Sequence, residues 1–197
     1  MPYLHRRTTR LVVRPLEEND YPAWREAHST MLPQRNKWDR QNKAETDLTR
    51  PKFRIILASQ RKLRAQDRFY DLAVFERSTG RLVGTVAAMD VLRGLGQSAY
   101  VGYFLNNRHW GKGYGKEMVR ALLDIGFRDL KLHRLEAGIE PTNRRSILLA
   151  RSLGMRKEGL KKRAVFLRGR WNDLVMYTLT CEELGVKWRG IAQPRPR

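Results

Sequence analysis

The spacing of apolar and polar residues changes period several times along the chain. Arg10-Leu11-Val12-Val13-Arg14-Pro15 is short and β-branched, which predicts a first strand. From Glu17 to Met31 the period is helical, with Asn19 or Asp20 near the cap and Pro22 in the first turn. Pro33 to Glu45 is polar, holds Trp38, and predicts a loop. A second helix starts at Thr49 or Arg50, with Pro51 in its first turn and Phe53, Ile56, Leu57 and Leu63 inward. Phe69 to Glu76, Leu82 to Leu92 and Ser98 to Leu105 predict three strands, the first two joined by a turn at Arg77-Ser78-Thr79-Gly80-Arg81. A long helix to about Leu130, a strand from His133 to Ile139 and a helix from Asn143 to Leu153 follow. Gly154 ends that helix, and a closing hairpin spans Met155 to Leu167 and Trp171 to Leu179. The order is βααβββαβαββ, one α/β domain without repeats.

The most informative stretch joins the fourth strand to the third helix. Tyr103-Phe104-Leu105-Asn106-Asn107-Arg108-His109 leaves a β-favouring run through a polar turn. Trp110-Gly111-Lys112-Gly113-Tyr114-Gly115-Lys116 then sets three glycines at alternate positions before a helical face of Met118, Val119, Leu122, Leu123, Ile125 and Phe127. Glycine permits close backbone approach, free N–H groups point at the ligand, and the helix dipole favours an anion. A phosphorylated cofactor is expected there. The third glycine is one place early for a dinucleotide fingerprint, and no Gly-Lys-Ser/Thr P-loop is present.

Composition changes the picture mainly through charge. The 197 residues hold 40 Lys and Arg against 20 Asp and Glu, a formal net charge of +20. Basic clusters lie at Arg6-Arg7-Arg10-Arg14, between Lys52 and Arg68, at Arg144-Arg145 and at Lys161-Lys162-Arg163. They are either a solvated surface or an electrostatic footprint for nucleic acid or an acidic assembly. No RNA-binding motif accompanies them. Such a surface disfavours a free polyamine or aminoglycoside substrate. No apolar run nears the roughly 20 residues of a membrane span, and no signal peptide is expected, so a cytoplasmic location follows. One cysteine, Cys181, suits a reducing compartment and reads as a structural thiol. His5, His28 and His133 lack metal-ligand spacing, and no metal site is expected. His109 sits inside the glycine loop, in a structural or phosphate-facing role.

The glycine loop resembles the acetyl-CoA pyrophosphate loop of the GNAT acyltransferases, Arg/Gln-x-x-Gly-x-Gly/Ala, with Trp110 in place of the first Arg/Gln as in Rim-like members. Leu132-His133-Arg134-Leu135-Glu136-Ala137, Pro141-Thr142-Asn143-Arg144-Arg145-Ser146, Leu149 to Gly159 and Gly169-Arg170-Trp171-Asn172-Asp173 resemble the RimJ type of ribosomal-protein-alanine N-acetyltransferase. The resemblance implies a single domain over residues 9–185, with a basic, disordered tail at 186–197. It implies a twisted mixed sheet with helices on both faces and acetyl-CoA in the gap between two splayed strands, Tyr100–Leu105 and Arg134–Ile139. Phe104 and Leu105 would then give main-chain bonds to the pantetheine arm. Trp110, Gly111, Lys112, Gly113, Tyr114 and Gly115 would offer N–H groups to the pyrophosphate, with Arg145, Arg144 or Lys116 at the phosphates. Asn143 would give its amide to the arm, or serve as a plain N-cap, or both.

Direct attack of an amine on a thioester needs a neutral amine, a stabilised oxyanion and a protonated leaving thiolate. An α-amine, with a pKa near 8, is roughly a tenth neutral at pH 7, whereas deprotonating lysine costs about 4–5 kcal/mol. Glu140 is the first candidate base and Glu136 the second; either is equally a surface carboxylate. Many GNAT enzymes place a tyrosine seven residues after the asparagine, where this chain has Ala150. Ser146 or Tyr103 is then the candidate proton donor. Trp38 and Phe53 are candidate acceptor-groove residues, Phe53 equally a core residue. The expected function is acetylation of an N-terminal α-amine, an alanine on a ribosomal protein, by a monomer or dimer, with ribosome or RNA contact through the basic surface. The alternatives are another amine acceptor (a small molecule or aminoacyl-tRNA) or a CoA-holding ribosome- or RNA-binding factor without turnover.

Overall fold

The computed structural model describes residues 4–188. Among them, eight strands form one sheet in the order β1-β2-β3-β4-β5-β6-β8-β7. The strands are β1 (Arg6–Arg7), β2 (Leu11–Arg14), β3 (Tyr70–Glu76), β4 (Leu82–Leu92), β5 (Ser98–Leu105), β6 (Arg134–Ile139), β7 (Arg156–Leu167) and β8 (Arg170–Thr180). Four α-helices accompany them: α1 (Tyr21–Ser29), α2 (Arg50–Ala65), α3 (Tyr114–Asp124) and α4 (Arg144–Ser152). β5 and β6 run parallel, and the other neighbours are antiparallel. This is the expected twisted mixed sheet; the edge strand β1 is an addition.

Strand periodicity sends alternate side chains to two cores. On β3, Leu72 and Val74 join α3 and α4 residues such as Met118, Leu122 and Ala150. Ala73 and Phe75 on the same strand join Trp24 of α1 and Phe53 and Leu57 of α2. Phe53 is therefore a core residue, 1% exposed.

Tertiary contacts overrode local propensity in two places. The first helix stops at Ser29 instead of Met31, because asparagine side chains capture the next amides. Met31 N–H donates to Asn42 Oδ1 at 2.7 Å and Leu32 N–H to Asn107 Oδ1 at 2.7 Å. The third helix leaves the α-helical register at Ile125 and continues as a π-turn to Asp129. Leu130 N–H reaches Ile125 O at 3.0 Å, and Gly126 sits where a Cβ would lie 2.7 Å from Leu135. Residues 186–188, placed in the expected tail, are instead tied to the domain. Val186 donates to Cys181 O and packs on the core, and Trp188 meets His133 edge-on. Residues 189–197 of that tail lie outside the described residues. No helix among the described residues is long and apolar enough to cross a membrane.

Candidate active site

The β5–β6 ladder is short. It pairs Ser98 with Arg134, Ala99 with Leu135 and Tyr100 with Glu136, and then stops. Beyond Tyr100 the strands diverge, as expected, and leave unpaired backbone groups facing the gap. Along a strand, successive residues turn these groups to opposite sides. Asn106 N–H donates to Val83 O at 2.8 Å, and a Cβ on Gly84 would lie 2.3 Å from Phe104 O. Residues 104 and 106 therefore turn toward β4, and 103 and 105 toward the gap. This corrects the expectation for Phe104, whose main chain serves the sheet; Tyr103 replaces it beside Leu105. The Leu105 carbonyl already accepts the Trp110 indole N–H at 3.0 Å. Trp110 thus ties the glycine loop to the end of β5.

A cleft of about 1030 Å³ opens along this gap. Tyr103, Phe104, Leu105, Trp110, Gly111, Gly113, Gly115, Asn143, Arg145 and Ser146 form its walls, with Lys116 and Arg144. Gly111 and Gly113 have φ of +79° and +77°, a conformation that carries a large penalty for other residues. Gly113 is the N-cap of α3, so the free amides of the helix's first turn face the cleft mouth. Arg10 holds the loop from outside, donating to Lys112 O at 2.6 Å and pairing with Glu117 at 2.7 Å. Lys112 and Tyr114 do not wall the cleft. Tyr114 is buried, with its hydroxyl on Glu76 at 2.5 Å. Their backbone amides alone remain available to a phosphate. His109, beside Tyr114, is likewise structural; burial holds its pKa below the usual value.

Asn143 is the N-cap of α4 and keeps a side-chain donor free. Its Oδ1 caps α4 by accepting Ser146 N–H at 3.3 Å. No protein acceptor meets its Nδ2 among the described residues, which leaves an amide donor in the cleft wall. The Tyr103 hydroxyl lies 3.4 Å from Ser146 O, and burial raises its pKa, so it stays a proton donor. The Ser146 side chain bonds the Tyr103 hydroxyl and partly offsets that rise. Four cations (Arg35, Lys116, Arg144, Arg145) and one carboxylate, Asp39, wall the cleft. The Arg145 guanidinium rests 4.3 Å above the Trp110 ring. A gap of unpaired backbone, a glycine cradle at a helix N-terminus and excess positive charge fit a phosphorylated, amide-bearing cofactor.

Glu140, the expected base, does not wall the cleft. Its side chain is 8% exposed, salt-bridged to Lys37 at 2.7 Å and closely to Arg168. Burial pushes its pKa up, but the Lys37 and Arg168 bonds outweigh this and hold it below the usual carboxylate range. A carboxylate clamped by two cations is a weak proton acceptor. Its place is mechanical: it ties the 35–39 loop and the β7–β8 turn to the end of β6. Glu136 pairs with Arg134 at 2.9 Å, away from the cleft. Trp38 does wall the cleft, with Arg35, Asn36 and Asp39 from the same loop. Those three neighbours escaped the sequence analysis, since nothing in a polar loop marks them.

Residues 10–156 match the family described as Acetyltransferase (GNAT) domain, and the chain belongs to that family of acetyl-transferring enzymes. Its relatives include a probable N-acetyltransferase YjcK of Bacillus subtilis, 42% identical over 108 residues. That match covers 55% of this chain and 60% of the relative, so the chain spans less than two thirds of that relative's length. The [ribosomal protein uS5]-alanine N-acetyltransferase of Escherichia coli is 32% identical over 112 residues, 57% of each protein. Among solved structures, Mycobacterium smegmatis RimJ in complex with CoA-disulfide superposes with a TM-score of 0.73 at 25% identity, covering 88% of this chain and 83% of that one. The family uses acetyl-CoA, which matches the chemistry of the cleft.

Proposed function

We propose that the protein acetylates the α-amine of a protein N-terminus, an alanine on a ribosomal protein, by direct transfer. The observation that carries this is the scarcity of bases in the cleft. Its one wall carboxylate, Asp39, already accepts Arg35 N–H at 2.8 Å, and Glu140 is clamped. A site without a free base suits an amine that is partly neutral near pH 7, and an α-amine meets that condition far better than lysine. The acceptors named for the E. coli relative, an alanine of ribosomal protein uS5, point the same way. The non-catalytic alternative gives way to the family's acetyl transfer.

Acetyl-CoA supplies an activated acetyl thioester. Tyr103 and Leu105 offer main-chain bonds to the pantetheine arm, and Asn143 Nδ2 a side-chain donor. The amides of residues 111–115 would hold the pyrophosphate, with Arg144, Arg145 and Lys116 available to the phosphates. The Tyr103 and Ser146 hydroxyls stand in the same wall as proton donors to the leaving sulfur. Much of the rate then comes from positioning.

The test incubates the protein with acetyl-CoA and Ala-, Ser- and Met-leading peptides, a lysine peptide with a blocked N-terminus, spermine, and ribosomes, following CoA release. Release with the Ala-leading peptide or ribosomal protein supports the reading; release with spermine or the blocked peptide alone overturns it. Docking on the ribosome through the +20 surface predicts binding that weakens steeply with salt.

A further inference from the structure

A second cavity, about 250 Å³, lies on the other face of the sheet, between α1, α2 and strands β3 to β5. It meets the cofactor cleft at Tyr103, which lines both. Two cations from the loop after α1 stand in its wall. The solvent-exposed Arg40 places its guanidinium 4.3 Å from the Phe104 ring centroid, over the cofactor strand. The Lys43 ammonium lies 5.2 Å from the Trp24 ring centroid. Neither side chain has a hydrogen-bond acceptor among the described residues. The wall's one carboxylate, Asp71, is bonded to Gln60 at 2.7 Å. Asp71 attracts Arg40 without a hydrogen bond, so two cations against one carboxylate leave the wall with more positive than negative charge, set on aromatic rings beside the reaction gap.

We infer that this cavity selects acceptors by an anionic group, and that Arg40 is its specificity-determining residue. The group is a carboxylate side chain one or two residues beyond the acceptor amine. Arg40 overlies Phe104, and Phe104 adjoins the gap-facing Tyr103. An extended peptide advances about 3.3–3.6 Å per residue. An amine at the gap beside Tyr103 thus brings the second or third side chain to Arg40. A guanidinium already stacked on a ring is oriented for a planar carboxylate. The same charge repels polyamines and lysine-rich termini.

This inference rests on the α-amine reading above. Its test measures acetyl transfer to matched peptides, Ala-Glu- against Ala-Gln-leading, by the wild type, Arg40→Gln and Arg40→Lys, with thermal melts to verify folding. The wild type should favour the acidic peptide by about tenfold in kcat/KM, the effect of one charge-assisted hydrogen bond. Arg40→Gln should bring the two peptides level without altering KM for acetyl-CoA, and Arg40→Lys should restore part of the preference. Equal use of both peptides by the wild type, or a preference that survives in Arg40→Gln, overturns the inference and leaves α-amine transfer standing. Transfer to a lysine peptide with a blocked N-terminus, with none to either Ala-leading peptide, overturns both.

Discussion

The two halves of the catalytic gap are built by different means. The cofactor half is backbone: a ladder that ends at Tyr100, glycines at positive φ, and the first turn of α3. The acceptor half is side chains brought from distant elements. Lys37 and Arg168 converge on Glu140, and Arg40 and Lys43 face Asp71 across the second cavity. Backbone geometry can tolerate variation of surrounding side chains, whereas a surface of long charged side chains is redefined by single changes. On the function proposed above, one half fixes the reaction and the other is free to choose the substrate.

The sharpest test of the backbone half is Gly84→Ala. The added methyl would lie 2.3 Å from Phe104 O, a backbone atom that cannot rotate away. β4 and β5 must separate, at a cost of about 3 kcal/mol. Because β5 also supplies the Tyr103 and Leu105 groups facing the gap, acetyl-CoA affinity should fall more than about tenfold. A calorimetric titration and a thermal melt check both. Full affinity with only a lowered Tm would separate the strand from cofactor binding.

The acceptor half should respond to acid. His28 is buried against Trp24 and donates to its carbonyl at 2.7 Å. Burial, helped by Lys43 and Arg40, pushes its pKa down to about 4. The folded pKa lies below the unfolded one, so the unfolded chain takes up a proton first and stability falls as pH drops from about 6.5 toward 4. Between pH 7 and 4.5 this amounts to about 2.4 kcal/mol. His28→Gln should lose correspondingly less over that interval. Parallel acid melts of the two proteins would assign the loss elsewhere.

The contrast also explains what the sequence could reveal. The glycine loop, β5 and Asn143 lie within one stretch of chain, and the roles proposed for them follow from residue type at short spacing. Element order was legible for the same reason, since periodicity is local. The faults came from contacts between remote residues. Asn107 and Asn42 ended α1 early, and Lys37 met Glu140 across 103 positions and removed it from the candidates for base. Phe104 turns its main chain to β4, one residue away from the gap-facing Tyr103, because strand direction depends on pairing and not on composition.

Asn143→Asp separates the two roles of one side chain. Aspartate still accepts the Ser146 amide, so α4 keeps its cap and Tm should hold within about 2 °C. The Nδ2 donor is lost, and a negative charge enters the cleft. Acetyl-CoA affinity should fall about tenfold. Equal affinity by calorimetry would leave Asn143 as a cap alone.

The smallest expected effect falls where the halves meet. If Glu140 were the base, Glu140→Gln would lower kcat by about 10²–10⁴ and remove the acidic limb of the rate profile. As a brace it predicts something milder. Glutamine can still accept from Lys37 and Arg168 but no longer balances their charge, so the 35–39 loop loosens. KM for the peptide should then rise by several-fold, about 1 kcal/mol. KM for acetyl-CoA and the shape of the pH profile should stay as in the wild type, because the cofactor half does not use this carboxylate. Steady-state kinetics across pH with both substrates varied distinguishes the cases. A collapse of kcat at saturating peptide would return Glu140 to the chemistry and make the division between halves less clean than the geometry draws it.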